Sequence, residues 1–199
     1  VSIEFRSKLT SAKWRALWDR TFSIGSFVMA FTMGIMMGNL VKGVPIDGEG
    51  VFHGTFWGLF DFYTVLIGVT TVALFMMHGA IYLLMKTEGA LHDKIRRWVT
   101  PSIVFFVLCY IAVTIATFVL MPHMTAFMKA YPIVFIIPLI ALLAILNVIR
   151  SIYQGKDGWA FLSSSLSITL LFSLFGIGTF PNLIRSSLDP DLFSLTFAN

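Results

Sequence analysis

Few ionisable residues lie inside apolar sequence, and two of them raise a question of chemistry. His78 stands in Met76-Met77-His78-Gly79-Ala80, and Asp61 in Leu59-Phe60-Asp61-Phe62. An ionisable side chain within a bilayer is a functional candidate by default. Imidazole titrates near neutral pH, so His78 suits a proton path or a contact to a quinone. The packing alternative is a neutral ring hydrogen-bonded to an adjacent helix, which Gly79 and Ala80 would allow to come close. Asp61 reads either as a second such group or as a helix-start residue favoured by the helix dipole.

Other chemistry is thin. His53, His92 and His123 fall in polar connections, so a haem held between two histidines at one depth has no second ligand here. Cys109 is the single cysteine, which excludes a disulfide framework and a thiolate metal cluster. No HxxxH, CxxC or ExxH pair shares a helical face, and no phosphate loop, dinucleotide fingerprint or nucleophile–base signature is present. No catalytic, cofactor-binding or metal-ligating residue is therefore assigned. Ser26, Ala30, Gly34 and Gly38 recur every four residues and form a helix-packing stripe, with Gly34 and Gly38 at GxxxG spacing. A later segment is rich in hydroxyls, Ser163, Ser164, Ser165, Ser167, Thr169 and Ser173, of which Ser165, Thr169 and Ser173 share one face. They read as hydroxyls bonded to their own helix or a neighbour, with a water-lined proton path as the rival.

The elements that must position these residues are transmembrane helices. Hydrophobic residues make up 57% of the chain and charged ones 12%, with mean hydropathy +0.86. Soluble proteins carry about 25% charge. A crossing helix needs about 20 apolar residues. Five runs qualify, at about 21–41, 56–85, 98–121, 131–149 and 159–184. The second run exceeds a perpendicular crossing, so it tilts or extends past the membrane. The runs are continuous, unlike the alternating ten-residue strands of a β-barrel. The fold class is thus all-α, a polytopic helical bundle, with residues 1–199 forming one unit joined by short loops. Trp14, Trp18, Trp57, Trp98 and Trp159 lie near the run ends, where indoles favour the interface.

Loop charge supplies an orientation. Eleven Lys and Arg residues lie before the first run, between the second and third, and between the fourth and fifth. Three, namely Lys42, Lys129 and Arg185, lie on the other side. The basic side is expected to be cytoplasmic, including residues 1–20, and Asn199 to face outward. The net charge of +4 is then a topological signal and does not point to nucleic acid.

Several segments, in order along the chain, resemble subunit II of cytochrome bd-type quinol oxidases. They are Ile3-Glu4-Phe5-Arg6-Ser7-Lys8, Trp14-Arg15, Trp18-Asp19 and Gly25-Ser26-Phe27. Gly38-Asn39-Leu40 with Gly43-Val44-Pro45 follows, then His78-Gly79-Ala80 with Tyr82-Leu83, and Lys86-Thr87-Glu88-Gly89. Trp159-Ala160-Phe161-Leu162-Ser163-Ser164 completes the series. The resemblance implies a heterodimer with a subunit I that carries the b and d haems and the quinol site. A small single-helix subunit and a bound quinone are further expectations. Such a complex oxidises quinol, reduces oxygen to water and builds a proton gradient in a bacterial or archaeal plasma membrane. The family's earlier helices, with a Trp-Asp-Gly-Asn stretch, and its last helix have no counterpart here. The chain is therefore expected to be part of a longer subunit, and the family's proton-route acids transfer to no position in it. The family does not always keep His at the position of His78. The rival classes are a secondary transporter or permease, which would show paired broken helices, and a self-contained membrane cytochrome.

Overall fold

The computed structural model of the chain describes residues 2–197. Asn199, expected on the outer face, lies outside them. Seven helices are present among these residues: α1 (Ser2–Arg6), α2 (Ala12–Lys42), α3 (Phe62–Lys86), α4 (Gly89–Leu120), α5 (Ala126–Ala130), α6 (Ile136–Tyr153) and α7 (Asp157–Thr179). Five helical segments are long and apolar enough to cross a membrane: α2, α3, α4, Pro132–Tyr153 and α7. The chain is a multi-pass helical membrane protein.

The helix bounds differ from the apolar runs for local reasons. The second helix begins at Phe62, not near Phe56, because a 3-10 turn at Trp57–Leu59 precedes it and Asp61 caps it. The fifth ends at Thr179, and Asn182–Ile184 instead pairs antiparallel with Leu195–Thr196. Helix α4 spans 32 residues, about 48 Å at 1.5 Å per residue, so its basic first turns extend beyond the hydrocarbon. Pro101 lies within it without ending it.

Helix α3 is central and packs against α2, α4 and α7, while α6 pairs with α7. The α2–α3 contact depends on missing side chains. A Cβ on Gly34 would lie 2.6 Å from both the Gly68 Cα and the Thr71 Oγ1, and one on Gly38 would lie 2.9 Å from the Thr64 Cα. Two backbones meet there, as small residues permit in lipid. The lower part of the stripe behaves differently: Ser26 is exposed and Ala30 only half-buried.

We call the end carrying residues 86–97 and 150–156 the basic end. The tight core lies toward it, built from Met77, Ile81 and Leu84 on α3, Val99, Ile103 and Phe106 on α4, and Val148 on α6. Gly89 and Gly155, at φ +62° and +69°, make the short turns there that other residues adopt only with strain. Arg96 donates to both Asp157 carboxylate oxygens at 3.0 and 2.9 Å, tying α4 to the first turn of α7. At the opposite end, the 43–54 loop meets the 182–196 segment. The buried Ser186 donates to the Ile46 carbonyl at 2.7 Å, and its backbone N–H donates to Ser194 Oγ at 3.0 Å. The N-terminal elbow folds back: Phe5 stacks on Trp18 at 5.2 Å and Arg6 donates to Asp19 at 2.5 Å.

The glycine contact predicts an asymmetry within one stripe. Gly34→Val should destabilise the protein by about 1–3 kcal/mol, the usual cost of overpacking. Ser26→Val should change stability by less than about 0.5 kcal/mol, as at an exposed position. Thermal unfolding of both variants in detergent micelles checks this.

Candidate functional site

Packing that is tight near the basic end opens toward the other end into a cavity of about 400 Å³. Its walls come from α2 (Met33, Met37), α3 (Tyr63, Ile67, Thr70, Thr71), α4 (Phe106, Tyr110, Thr114, Thr117), α7 (Phe172, Phe175) and the Met124–Met128 segment. The size falls in the range of organic ligand sites, about 300–1,000 Å³, and an apolar wall with few polar groups is their usual chemistry.

The polar groups in the wall are mostly engaged by their own helices. Thr70, Thr71 and Thr114 donate to the carbonyls four residues earlier, at 2.7 to 2.9 Å. Thr117 donates to Val113 O at 2.8 Å, so the 2.9 Å contact between Tyr63 and Thr117 has the Tyr63 hydroxyl as donor. The Tyr63 oxygen keeps its acceptor capacity. Tyr63 is a polar residue of this wall that is not bonded back to its own helix, and its oxygen suits a ligand hydroxyl that donates to it.

Neither His78 nor Asp61 lines this cavity. His78 lies in the seam between α3 and α7. Its Nδ1 is 2.8 Å from Ser164 Oγ, and its ring stacks on Phe161 at 5.1 Å. Ser164 donates to Phe161 O, so the histidine N–H donates to Ser164 when Nδ1 carries the proton. One helical step away, Asn147 of α6 donates to Ser163 of α7 at 2.7 Å. A short polar seam thus links α3, α7 and α6 within apolar surroundings. Ser163, Ser164 and Ser167 are the buried hydroxyls of α7. Ser165, Thr169 and Ser173 instead back-bond to Phe161, Ser165 and Thr169 on a face not buried in the bundle. Asn147 was the residue that sequence reasoning passed over. Its signal was an amide in the otherwise aliphatic Leu143–Ile149 stretch.

Asp61 is the N-cap of α3. It accepts from the Thr64 N–H at 2.9 Å, and Thr64 Oγ1 accepts from the Asp61 N–H at 3.0 Å, completing a capping box. Lys42, the last residue of α2, forms an ion pair with it. Each charge also complements the dipole end on which it sits. Burial alone would raise the Asp61 carboxyl, but Lys42 and the Thr64 donors outweigh it and hold it below the usual carboxylate range. Asn39 donates to Leu59 O at 3.0 Å beside this pair. Nearby, His123 Nε2 donates to Val41 O at 2.9 Å, satisfying a carbonyl at the α2 terminus. Burial lowers the His123 pKa, the Val41 bond opposes that, and the Arg185 charge adds to the lowering.

Among the described residues, no three His, Cys, Asp or Glu side chains come together as a metal site. Fold and cavity define a polytopic helical membrane protein with a largely apolar cavity between its helices. The chain belongs to the cytochrome bd terminal oxidase subunit II family, which matches residues 1–199. It is 27% identical over 201 residues to the cytochrome bd ubiquinol oxidase subunit 2 of Bacillus subtilis, covering all of this chain and 58% of that protein. It is 28% identical over 217 residues to the cytochrome bd-I ubiquinol oxidase subunit 2 of Escherichia coli K12, covering 94% and 57%. A probable cytochrome oxidase subunit 2 of Haemophilus influenzae is 35% identical over 100 residues, 48% of this chain and 26% of that protein. The chain therefore spans under three fifths of the length of these relatives.

The Asp61 geometry separates its two duties. Asp61→Asn keeps an N-cap side chain and should cost up to about 1 kcal/mol, the ion pair alone. Asp61→Ala loses both and should cost about 1–2 kcal/mol more. A depressed carboxylate stabilises the fold above its unfolded pKa, and that contribution disappears as pH falls through the lower folded value. The gap between wild type and Asp61→Asn should therefore close in strong acid, as thermal melts across acidic pH will show.

Proposed function

We propose that this chain belongs to the haem-free second subunit of a membrane quinol oxidase. It supports a haem-bearing subunit I in oxidising quinol and reducing oxygen to water, with formation of a proton gradient. Haems b and d reside in that partner. Within this chain the one histidine at membrane depth, His78, has its Nδ1 on Ser164 and its ring on Phe161, with no second axial donor facing it. These residues do not fit a haem, and no step is assigned to one. The complex lies in a bacterial or archaeal plasma membrane with the basic end in the cytoplasm. A small single-helix subunit completes it.

The observation that carries this reading is the apolar cavity of about 400 Å³ in a chain of this family. We assign it to a bound quinone. Its residues fit the group: Met and Phe side chains would hold ring and tail, and the Tyr63 oxygen would accept from a hydroquinone hydroxyl. Such a molecule supplies two-electron, two-proton chemistry when bound. The permease alternative loses support because no pair of broken helices in matching halves appears among the described residues. For proton access we propose His78 ahead of Asp61. Asp61 is consumed by Lys42 and the α3 N-terminus, whereas His78 keeps Nε2 clear of any protein partner.

Purification of the full complex through this chain should yield a haem-bearing partner with b- and d-type absorption and a quinone extractable in about equimolar amount. Haem in stoichiometric amount on this chain alone would contradict the assignment. In the same preparation His78→Gln, which keeps a hydrogen bond to Ser164 but cannot titrate, should assemble normally and slow proton release. Unchanged turnover and proton release would remove His78 from the proton path.

A further inference from the structure

A second groove lies between α4 and α6 near the basic end. It holds about 150 Å³ and is lined by Thr100, Ile103, Val104 and Val107 on one side and Ile149 and Ile152 on the other. Helices α4 and α6 face each other across it, each packing mainly on a different neighbour. Its walls are apolar and its outer rim is exposed, with Val104 52% accessible. Tyr153 stands at its mouth, and Trp98 lies one turn of α4 nearer the basic end. Both are exposed aromatic residues of the kind that settle at the headgroup level.

Two arginines lie close in sequence to the lining residues at this end of the groove. Arg97 lies on the α4 face that carries Thr100 and Val104, one turn nearer the basic end. Arg150 follows Ile149 on α6 and precedes Tyr153 by one turn. Both are exposed, and among the described residues neither forms an ion pair. The contrast with Arg96 is informative. It sits next to Arg97, points to the other side of α4 and is satisfied by Asp157. Asp93, one turn before Arg97, makes no ion pair with it. An apolar slot with two exposed arginines, free of ion pairs among the described residues, on its flanking turns near the basic end matches one kind of molecule, because arginines in basic pockets at this depth recognise anionic headgroups.

We propose that the α4–α6 groove is a binding site for an anionic phospholipid of the basic-end leaflet. One acyl chain lies along Ile103, Val104 and Val107, and the phosphate is held by Arg97 and Arg150. The lipid fills a gap that α4 and α6 do not close themselves. This rests on the membrane-spanning fold and not on the oxidase reading, so either can fail alone.

The test uses the full membrane complex, delipidated in mild detergent and titrated with phosphatidylglycerol or phosphatidylcholine. Bound lipid is counted by native mass spectrometry. Wild type should retain phosphatidylglycerol at least about tenfold more tightly than phosphatidylcholine. The Arg97→Gln/Arg150→Gln double variant should retain one phosphatidylglycerol fewer. Arg97→Lys/Arg150→Lys keeps the charge, controls for assembly and should retain most of the preference. Val104→Trp fills the groove from its exposed side and should displace the same lipid with both arginines intact. Equal retention of the two lipids, an unchanged count in the double glutamine variant, or no lipid because a partner helix covers the groove would each overturn the proposal.

Discussion

Hydrocarbon offers a peptide group nothing to bond with, and this chain's architecture follows from that constraint. Each apolar run closes its hydrogen bonds within itself as a helix. The same rule governs the side chains. Thr70, Thr71, Thr114, Thr117, Ser165, Thr169 and Ser173 donate to carbonyls four residues earlier, so that these hydroxyls are satisfied within their own helices. Charge is moved to the ends, where it ties helices together: Lys42 with Asp61 at one end, Arg96 with Asp157 at the other. Lys42 and Asp61 sit at helix ends whose dipoles favour them, and Asp157 likewise lies in the first turn of α7.

With no hydrophobic force between helices in lipid, association depends on close packing. Helix α3 provides it twice. Gly68 receives Gly34 of α2, and Met77, Ile81 and Leu84 fill the space against α4 and α7. The two modes lie at different depths. Toward the basic end α3, α4, α6 and α7 share one dense core. Toward the other end α2 joins, the helices diverge, and larger aromatic and methionine side chains border a cavity instead of filling it. A rigid half thus holds an open half. A ligand pocket needs that arrangement, since its walls must keep their places without a ligand to support them.

Much of this was legible in the sequence, and the gaps have physical causes. Five crossings followed from the length of apolar runs, because the bilayer imposes a length on every span. The Gly34–Gly38 face announced a backbone contact, but not that Gly68 would answer it, since Gly68 has no second glycine four residues away in α3. Ser26 and Ala30 share the spacing and stay exposed and half-buried, because a stripe specifies a contact only where a neighbour is present. The hydroxyl content of α7 is plain in the sequence, but not that Ser163 and Ser164 make the interhelical bonds while Ser165, Thr169 and Ser173 bond back to their own helix. Serine back-bonds readily, so composition does not distinguish a lipid face from a packed one. The cavity had no signal in sequence, since it is a property of how α2, α4 and α7 diverge around α3. Asp61 was legible in both its readings, and the capping box with Thr64 fits the helix-start one.

The central claim is that five helices cross in alternation, with the 86–97 and 150–156 connections on one face and the 43–61 and 121–131 connections on the other. Single cysteines at positions 94 and 129, in a chain with Cys109→Ala, test it directly by labelling intact cells with a membrane-impermeant thiol reagent. The account predicts labelling at 129 and none at 94 until the membrane is permeabilised. Labelling of both positions, or of neither, from the outer side would contradict it.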